Sequence, residues 1–301
     1  MKLEGVIDVW GTQAAQPLVR RWELQFCKDH PNFHLLYHMT GSDIGMAGLY
    51  TGFADLAVLG RQCTPVESKA FEWIFRYPPT QLQILTGSLG QAGQSPALIV
   101  YVHRDNPLVR LTLTQLDAVF GHEHLGGAAQ NIRTWGGLGL EGEWTDLPIN
   151  LYANHAESGT ATFFRQVVLQ GSAKMNWDAL REFSGRDASS RILTALAADR
   201  AGLAVTAGWG NSMPSRVRSV PLGRDGNEVM TASHESLISR RYPLTRSVHV
   251  YFNRAPGRAL DVRIEHFLRY ILSERGQREV AIQGDYLPLN PRLADQQLQQ
   301  L

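Results

Sequence analysis

PINLYANHAESGTATFFRQVVLQ, residues 148–170, decides how the rest of the chain is read. Its first eight residues make a short apolar run of the kind that a strand covered on both faces requires. After the turn, Phe163, Phe164, Val167 and Val168 fall on one helical face. Between strand and helix stands Ser158-Gly159-Thr160. A strand emptying through a small turn into a helix is the repeating step of an α/β sheet.

The turn admits two chemistries. As a cradle, it would use the first N–H groups of the helix, which have no intrahelical partner and carry the positive end of the dipole. Glycine lets an anion approach that backbone, and the hydroxyls of Ser158 and Thr160 add donors. As a nucleophile, Ser158 would need a base and a group to orient it. His155 lies only three residues earlier, and no G-x-S-x-G elbow surrounds Ser158. Any one such turn also serves as an ordinary N-cap.

Two further stretches share the pattern. Gly11-Thr12-Gln13 follows the strand VIDVW (6–10) and precedes a helix whose first turn holds Pro17. Gly41-Ser42-Asp43 follows FHLLYHM (33–39) and precedes IGMAGLYTG. Strands are also expected at 54–60, 80–87, 97–104, 202–207 and 247–253, and Leu18, Trp22 and Phe26 mark an apolar helical face. The Gly-rich stretch 121–144 reads as a long surface loop, and no internal repeat is visible. In such sheets the ligand belongs outside the carboxyl ends of the strands, where these turns lie.

Composition sets the outer limits. The chain of 301 residues, 44% hydrophobic and 19% charged, is long enough for two cores. With 29 basic and 28 acidic residues it has no overall electrostatic footprint for nucleic acid, and no nucleic-acid partner is expected. Cys27 and Cys63 are the two cysteines, so one optional bridge stays open while a cysteine-cluster zinc site is excluded. His122-Glu123-His124 is not the HExxH arrangement, and no phosphate loop or G-x-G-x-x-G follows a strand. Neither a metal nor a cofactor is expected. The start MKLEGVIDVWG lacks an apolar core of signal-peptide length, so either the chain is cytoplasmic or a leader precedes it.

A family resemblance extends over essentially the whole chain. YPLTRSVHVYFNRAPGRALDVRIEHFLRYILSERGQREVAIQGDYLPLNP (242–291), SPALIVYVHRDNPLVRLTLTQLDAVFG (95–121) and IRTWGGLGLEGEWTDLPINLY (132–152) resemble segments of the phosphate-binding-protein-like family, the periplasmic receptors of phosphate ABC transporters. The resemblance implies a two-lobed α/β fold of the type II periplasmic binding protein kind, each lobe a mixed sheet flanked by helices with the ligand in the cleft. Lobe one would combine 1–98 with 252–301 and lobe two would hold 99–251, with hinge crossings near 97–103 and 248–253. It further implies an extracytoplasmic monomer that binds inorganic phosphate or a similar oxyanion, partners an ABC transporter permease and is no enzyme.

Carried over residue by residue, Ser42, Ser158, Gly159 and Thr160 match the family's phosphate-contacting positions. The first loop keeps Thr12 but continues with Gln13 and Ala14. Where the family has an Asp that accepts the ligand's proton, this chain has Gly60, and where it has an Arg before the Ser-Gly-Thr, this chain has Asn154. Arg61 is then the expected guanidinium fork, and Asp43 and Glu157 are the candidate replacement acceptors. These changes keep two alternatives in view: a sensor or scaffold that has lost its anion, and a Ser158-dependent hydrolase.

Overall fold

The computed structural model describes residues 2–90, 94–185, 187–208 and 213–301. Strands and helices alternate from the start: β1 (Glu4–Gly11), α1 (Gln16–Phe26), β2 (Asn32–His38), α2 (Ser42–Thr51), β3 (Leu56–Leu59), α3 (Pro65–Phe75) and β4 (Thr80–Thr86). The chain then builds β5 (Leu98–His103), β6 (Leu111–Thr112), α4 (Leu113–Phe120), β7 (Asn150–Asn154), α5 (Gly159–Val167) and β8 (Leu180–Phe183). It continues with α6 (Ala188–Leu196), β9 (Gly202–Ala207), β10 (Val217–Val220), β11 (Leu222–Gly223), β12 (Val229–Met230) and α7 (His234–Ile238). Last come β13 (Ser247–Phe252), α8 (Val262–Leu272), α9 (Glu274–Gln283) and α10 (Pro291–Leu298). The strands expected from the apolar runs are present, each within two residues of the expected ends.

Contacts divide the chain into two units. Unit 1 runs from the N-terminus to Ser88, includes Ser95, and resumes at Ser247–Leu301; unit 2 is essentially Pro96–Arg246.

In unit 1 the strand order is β2-β1-β3-β13-β4, with β1 parallel to both neighbours and β13 antiparallel to β3 and β4. One face is sealed by α1 and α8. Leu18, Val19, Trp22 and Phe26 of α1 meet Ile7, Val9 and Val58 of the sheet and Ile264, Phe267 and Leu268 of α8. Phe26, Phe33 and Phe267 pack ring on ring with centroids 4.8–5.3 Å apart, the geometry that aromatic quadrupoles favour. Trp22 is fully buried and donates Nε1–H to the Gly276 carbonyl at 2.8 Å. The opposite face carries Met46 and Leu49 of α2 and Phe71 of α3 against Ala57, Leu59 and Tyr251.

Unit 2 repeats this plan. Its main sheet is β10-β5-β9-β7-β8, with β7 parallel to β8 and β9, and β5 antiparallel to β9 and β10. The order around β7 is the order around β1, a likeness hidden in the sequence because the antiparallel strand comes first in unit 2 and last in unit 1. Ile192, Leu193 and Leu196 of α6 cover Tyr152 and Ala204 on one face. Ala161 and Phe164 of α5 line a small cavity with Ala153 and Val205 on the other. A three-stranded sheet, β12-β11-β6, completes the unit.

In each unit, therefore, a central parallel strand has neighbours reached by helices on opposite faces. Such a switch point opens a crevice at the strand's carboxyl end. In unit 1 the end of β1 is tightly fixed. Gly11 has φ +147°, and a Cβ there would lie 2.0 Å from the Val58 carbonyl oxygen. Thr12 N–H then bonds that carbonyl at 2.9 Å, and Gly41 N–H bonds Gly11 O at 2.9 Å. Gly11→Ala is expected to lower stability by at least about 3 kcal/mol, since it combines backbone strain with overlap. Chemical denaturation of the variant beside the parent checks this.

Candidate functional site

The turns after β1, β2 and β3 meet around Gly60. Its N–H donates to Ser42 Oγ at 3.2 Å, and its carbonyl accepts from Ser95 Oγ at 2.8 Å. A Cβ on Gly60 would lie 3.9 Å from both Ser42 Oγ and Thr12 Cγ2. The sequence pattern named Thr12 and Ser42, and the structure brings them together. Ser95, buried and 53 residues after Ser42 in sequence, carried no spacing signal.

The Ser42 hydroxyl is poised as a donor. Its lone pair receives Gly60 N–H, so its own proton is the group it has to give. Beside it the N-terminus of α2 has Gly41 as N-cap, without a side-chain cap. The first turn thus presents backbone N–H groups and the positive dipole end. Gln13 is exposed in a 3-10 turn that carries no side-chain cap either.

Gly60 also explains the missing carboxylate. A Cβ there would stand 2.7 Å from Ser95 Oγ, so the hydroxyl occupies the space that a larger residue needs. Ser95 itself has φ +47°, so its backbone holds it there at some strain.

Arg61 turns away into a charge cluster. Its Nη1 and Nη2 each donate at 2.8 Å to one oxygen of Glu67, a bidentate fork, and Nη2 reaches Asp43 Oδ1 at 2.7 Å. Glu67 closes the capping box of α3, taking Thr64 N–H on Oε2 while Thr64 Oγ1 accepts Glu67 N–H. The Arg61 side chain is 13% exposed and that of Asp43 91%, so Glu67 is the structural partner and Asp43 the solvent-side one. The hydrogen bonds to Glu67 raise the Arg61 pKa above its ordinary value despite burial. Burial pushes the Glu67 carboxyl up, but the bonds from Arg61 and Thr64 outweigh it and hold the group below 4.5.

In unit 2 the turn after β7 is pinned at nearly every residue. His155 N–H bonds Phe183 O at 2.8 Å, Ala156 N–H bonds Glu182 Oε1 at 2.6 Å, and Arg165 Nη1 holds the Ala156 carbonyl at 2.7 Å. Ser158 is the N-cap of α5, its Oγ accepting Ala161 N–H at 3.1 Å. The capping use and the donor use coincide, because the occupied lone pair leaves the hydroxyl proton for an acceptor. Gly159 is exposed and Thr160 half-buried in the first turn. Asn154 takes Thr206 Oγ1–H on its Oδ1 at 2.8 Å, which aims the amide NH2 elsewhere as a donor.

The other candidates find ordinary roles. His155 Nδ1 accepts Glu157 N–H at 3.4 Å, and among the described residues no base is hydrogen-bonded to Ser158 Oγ. Glu157 is exposed. Glu123 is engaged by Lys174 and Ser172, and His124 by Asn131. Among the described residues no group of His, Cys, Asp and Glu is arranged to hold a metal ion. Cys27 and Cys63 are both free thiols.

One functional candidate escaped the sequence pattern altogether. Arg246 is 8% exposed and lies against α5, its guanidinium carbon 5.5 Å from the centroid of the Phe163 ring. Nothing in its neighbourhood in sequence marks it, since the contact spans more than 80 residues of chain.

Two α/β units, each opening helix N-termini at the carboxyl ends of parallel strands, define a solute-binding class of protein. The chain belongs to the PBP superfamily, whose domain matches residues 4–275. It is 29% identical to the phosphate-binding protein PstS of Pseudomonas aeruginosa, over 99% of this chain and 88% of that one. PstS from Borrelia burgdorferi shares the fold at a TM-score of 0.66 and 17% identity, covering 95% of this chain and all of that structure, 100%. An ABC-type phosphate transport receptor from Vibrio cholerae does so at 0.60 and 18%, covering 93% and 99%.

Two outcomes test the geometry of unit 1. Glu67 contributes stability that is complete above its unfolded pKa and lost as pH falls through its lower folded value. Glu67→Gln should therefore cost about 2 kcal/mol at pH 7 and flatten the loss of stability below pH 4.5, read by urea unfolding across pH 3–7. Gly60→Asp should cost about 1–3 kcal/mol by displacing Ser95, and adding Ser95→Gly should recover part of it. Equal stability of the single and double variants in thermal unfolding would contradict that packing.

Proposed function

We propose that this chain is an extracytoplasmic solute-binding protein that captures inorganic phosphate for an ABC transporter. The candidate donors are Thr12, Gln13, Ser42 and the first turn of α2 in unit 1, and Asn154, Ser158, Gly159 and Thr160 in unit 2. The observation that carries this reading is the matched state of two hydroxyls. Ser42 and Ser158 both stand at the start of a helix of eight or more residues with a lone pair filled by a backbone N–H. Each is thereby turned into a donor beside a dipole, the arrangement that suits a desolvated oxyanion.

The 29% identity to PstS over nearly the whole chain supports phosphate as the anion. In this reading the chain binds without turnover, is a monomer and stands outside the cytoplasmic membrane, reached through a leader. No described helix is long and apolar enough to cross a membrane. The second reading, a sensor that has lost its anion, draws on Gly60, where Ser95 fills the place of a carboxylate.

The deciding measurement is calorimetry with phosphate, sulfate, arsenate and molybdate on the full chain, refolded free of carried-over anion. Phosphate should bind tightly, and Ser158→Ala should weaken it at least about tenfold while lowering stability by about 1 kcal/mol through the lost cap. No heat with any of the four anions would favour the sensor.

A further inference from the structure

The sheet of unit 1 has two edges, β2 and β4, and an unpaired edge is a template on which a further strand can add. β4 is sealed along its length. Gln297 Oε1 takes Gln83 N–H at 2.7 Å, and Gln277 Nε2 donates to the Ile84 carbonyl at 3.1 Å. Thr86 exchanges both of its backbone bonds with Leu287, at 2.9 and 3.0 Å. All three partners come from the segment after β13.

β2 is held by less. Phe33, Leu35 and Tyr37 turn their backbone groups away from β1. Phe33 N–H folds back to the His30 carbonyl at 3.0 Å, and Cys27 Sγ donates to the Phe33 carbonyl at 3.0 Å. Glu23 of α1 does the rest: its Oε1 takes Leu35 N–H at 2.7 Å, and its Oε2 takes the Tyr37 hydroxyl. A carboxylate on an amide makes a charge-assisted bond, stronger than the bond from the thiol. Past Leu35, no described residue takes the outward backbone groups of Tyr37. Beside this edge Leu36 is 51% exposed, on the sheet face where β1 leaves Val6 open.

The occupant that suits such an edge is the same edge of a second copy. Antiparallel pairing across a twofold axis makes any strand complementary to itself. With the axis at Leu35, the middle of the seven-residue strand, the two copies would exchange N–H and carbonyl bonds at Leu35 and bring each Leu36 opposite His34. Glu23 holds the N–H on which that register turns. We infer that Glu23 is a lock on β2, which keeps a second copy of the chain from adding its own β2 to the sheet.

Sedimentation of the full-length chain and three variants tests this. The parent should stay monomeric over about a hundredfold range of concentration, and so should Glu23→Gln, which keeps a side-chain oxygen for Leu35 N–H. Glu23→Ala should pass from monomer to dimer over the same range. Adding Leu36→Lys to Glu23→Ala should restore the monomer, because pairing would then set two lysines within about 8 Å of each other. A folded Glu23→Ala that stays monomeric throughout would overturn the inference. So would a parent that is already a dimer, or a double variant that dimerises as readily as the single one. None of these outcomes depends on phosphate.

A second measurement covers a Glu23→Ala chain that fails to fold. In the parent, amide hydrogen exchange at Leu35 should be at least about tenfold slower than at Tyr37, the next outward N–H on the same edge. Equal rates at the two amides would mean that Glu23 does not hold Leu35, and the lock falls.

Discussion

A parallel strand whose two neighbours are reached by crossovers on opposite faces must leave a gap at its carboxyl end, and this protein is organised around two such gaps. β1 has α1 below and α2 above; β7 has α5 and α6 on its two sides. Thr12, Ser42 and Ser158 each lie where the chain leaves one of these strands or the strand beside it. The apolar faces hold the sheets together, but the switch points decide where chemistry can happen. Gly11, pressed against the Val58 carbonyl, shows how closely the strand ends must approach for this to work.

The polar groups at those ends are arranged in layers. Ser95 supports Gly60, Gly60 donates its N–H to Ser42, and Ser42 stands at the start of α2. In unit 2, Glu182 and Arg165 hold Ala156 from its N–H and its carbonyl, and Ser158 closes the turn by capping α5. Preorganisation of this kind limits the ordering that a ligand must impose on binding. It also explains why Arg61 carries more structure than charge, since its fork is committed to the carboxylate that caps α3.

Much of this architecture is legible in the sequence because burial writes periodic patterns. ALIVYVHR and GLAVTA are covered on both faces and stand out as nearly continuous apolar runs, while VIDVW alternates buried and more open positions. β8 and β10 do not stand out: both lie at the edge of their sheet, and their sequences LREF and VRSV carry no apolar run to read. The common plan of the two units is likewise invisible, because the antiparallel strand enters unit 2 first and unit 1 last. At the site, the hydroxyls are legible because helix starts have a local grammar. Ser95 and Arg246 are not, since they reach their places through tertiary contacts alone.

The position of β13 has a consequence for how the chain is made. It lies between β3 and β4 in the sheet, yet it is the last strand in the chain, and α8 to α10 come after it. Until Ser247–Phe252 has emerged, β4 has no partner in the unit 1 sheet, and Trp22 still lacks the carbonyl of Gly276. A chain synthesised from its N-terminus therefore carries an unfinished unit 1 while the whole of unit 2 is produced. Unit 2 is contiguous and can close on its own residues. The order of completion is thus the reverse of the order of synthesis, and the N-terminal segment stays open until the last fifth of the chain arrives to close it.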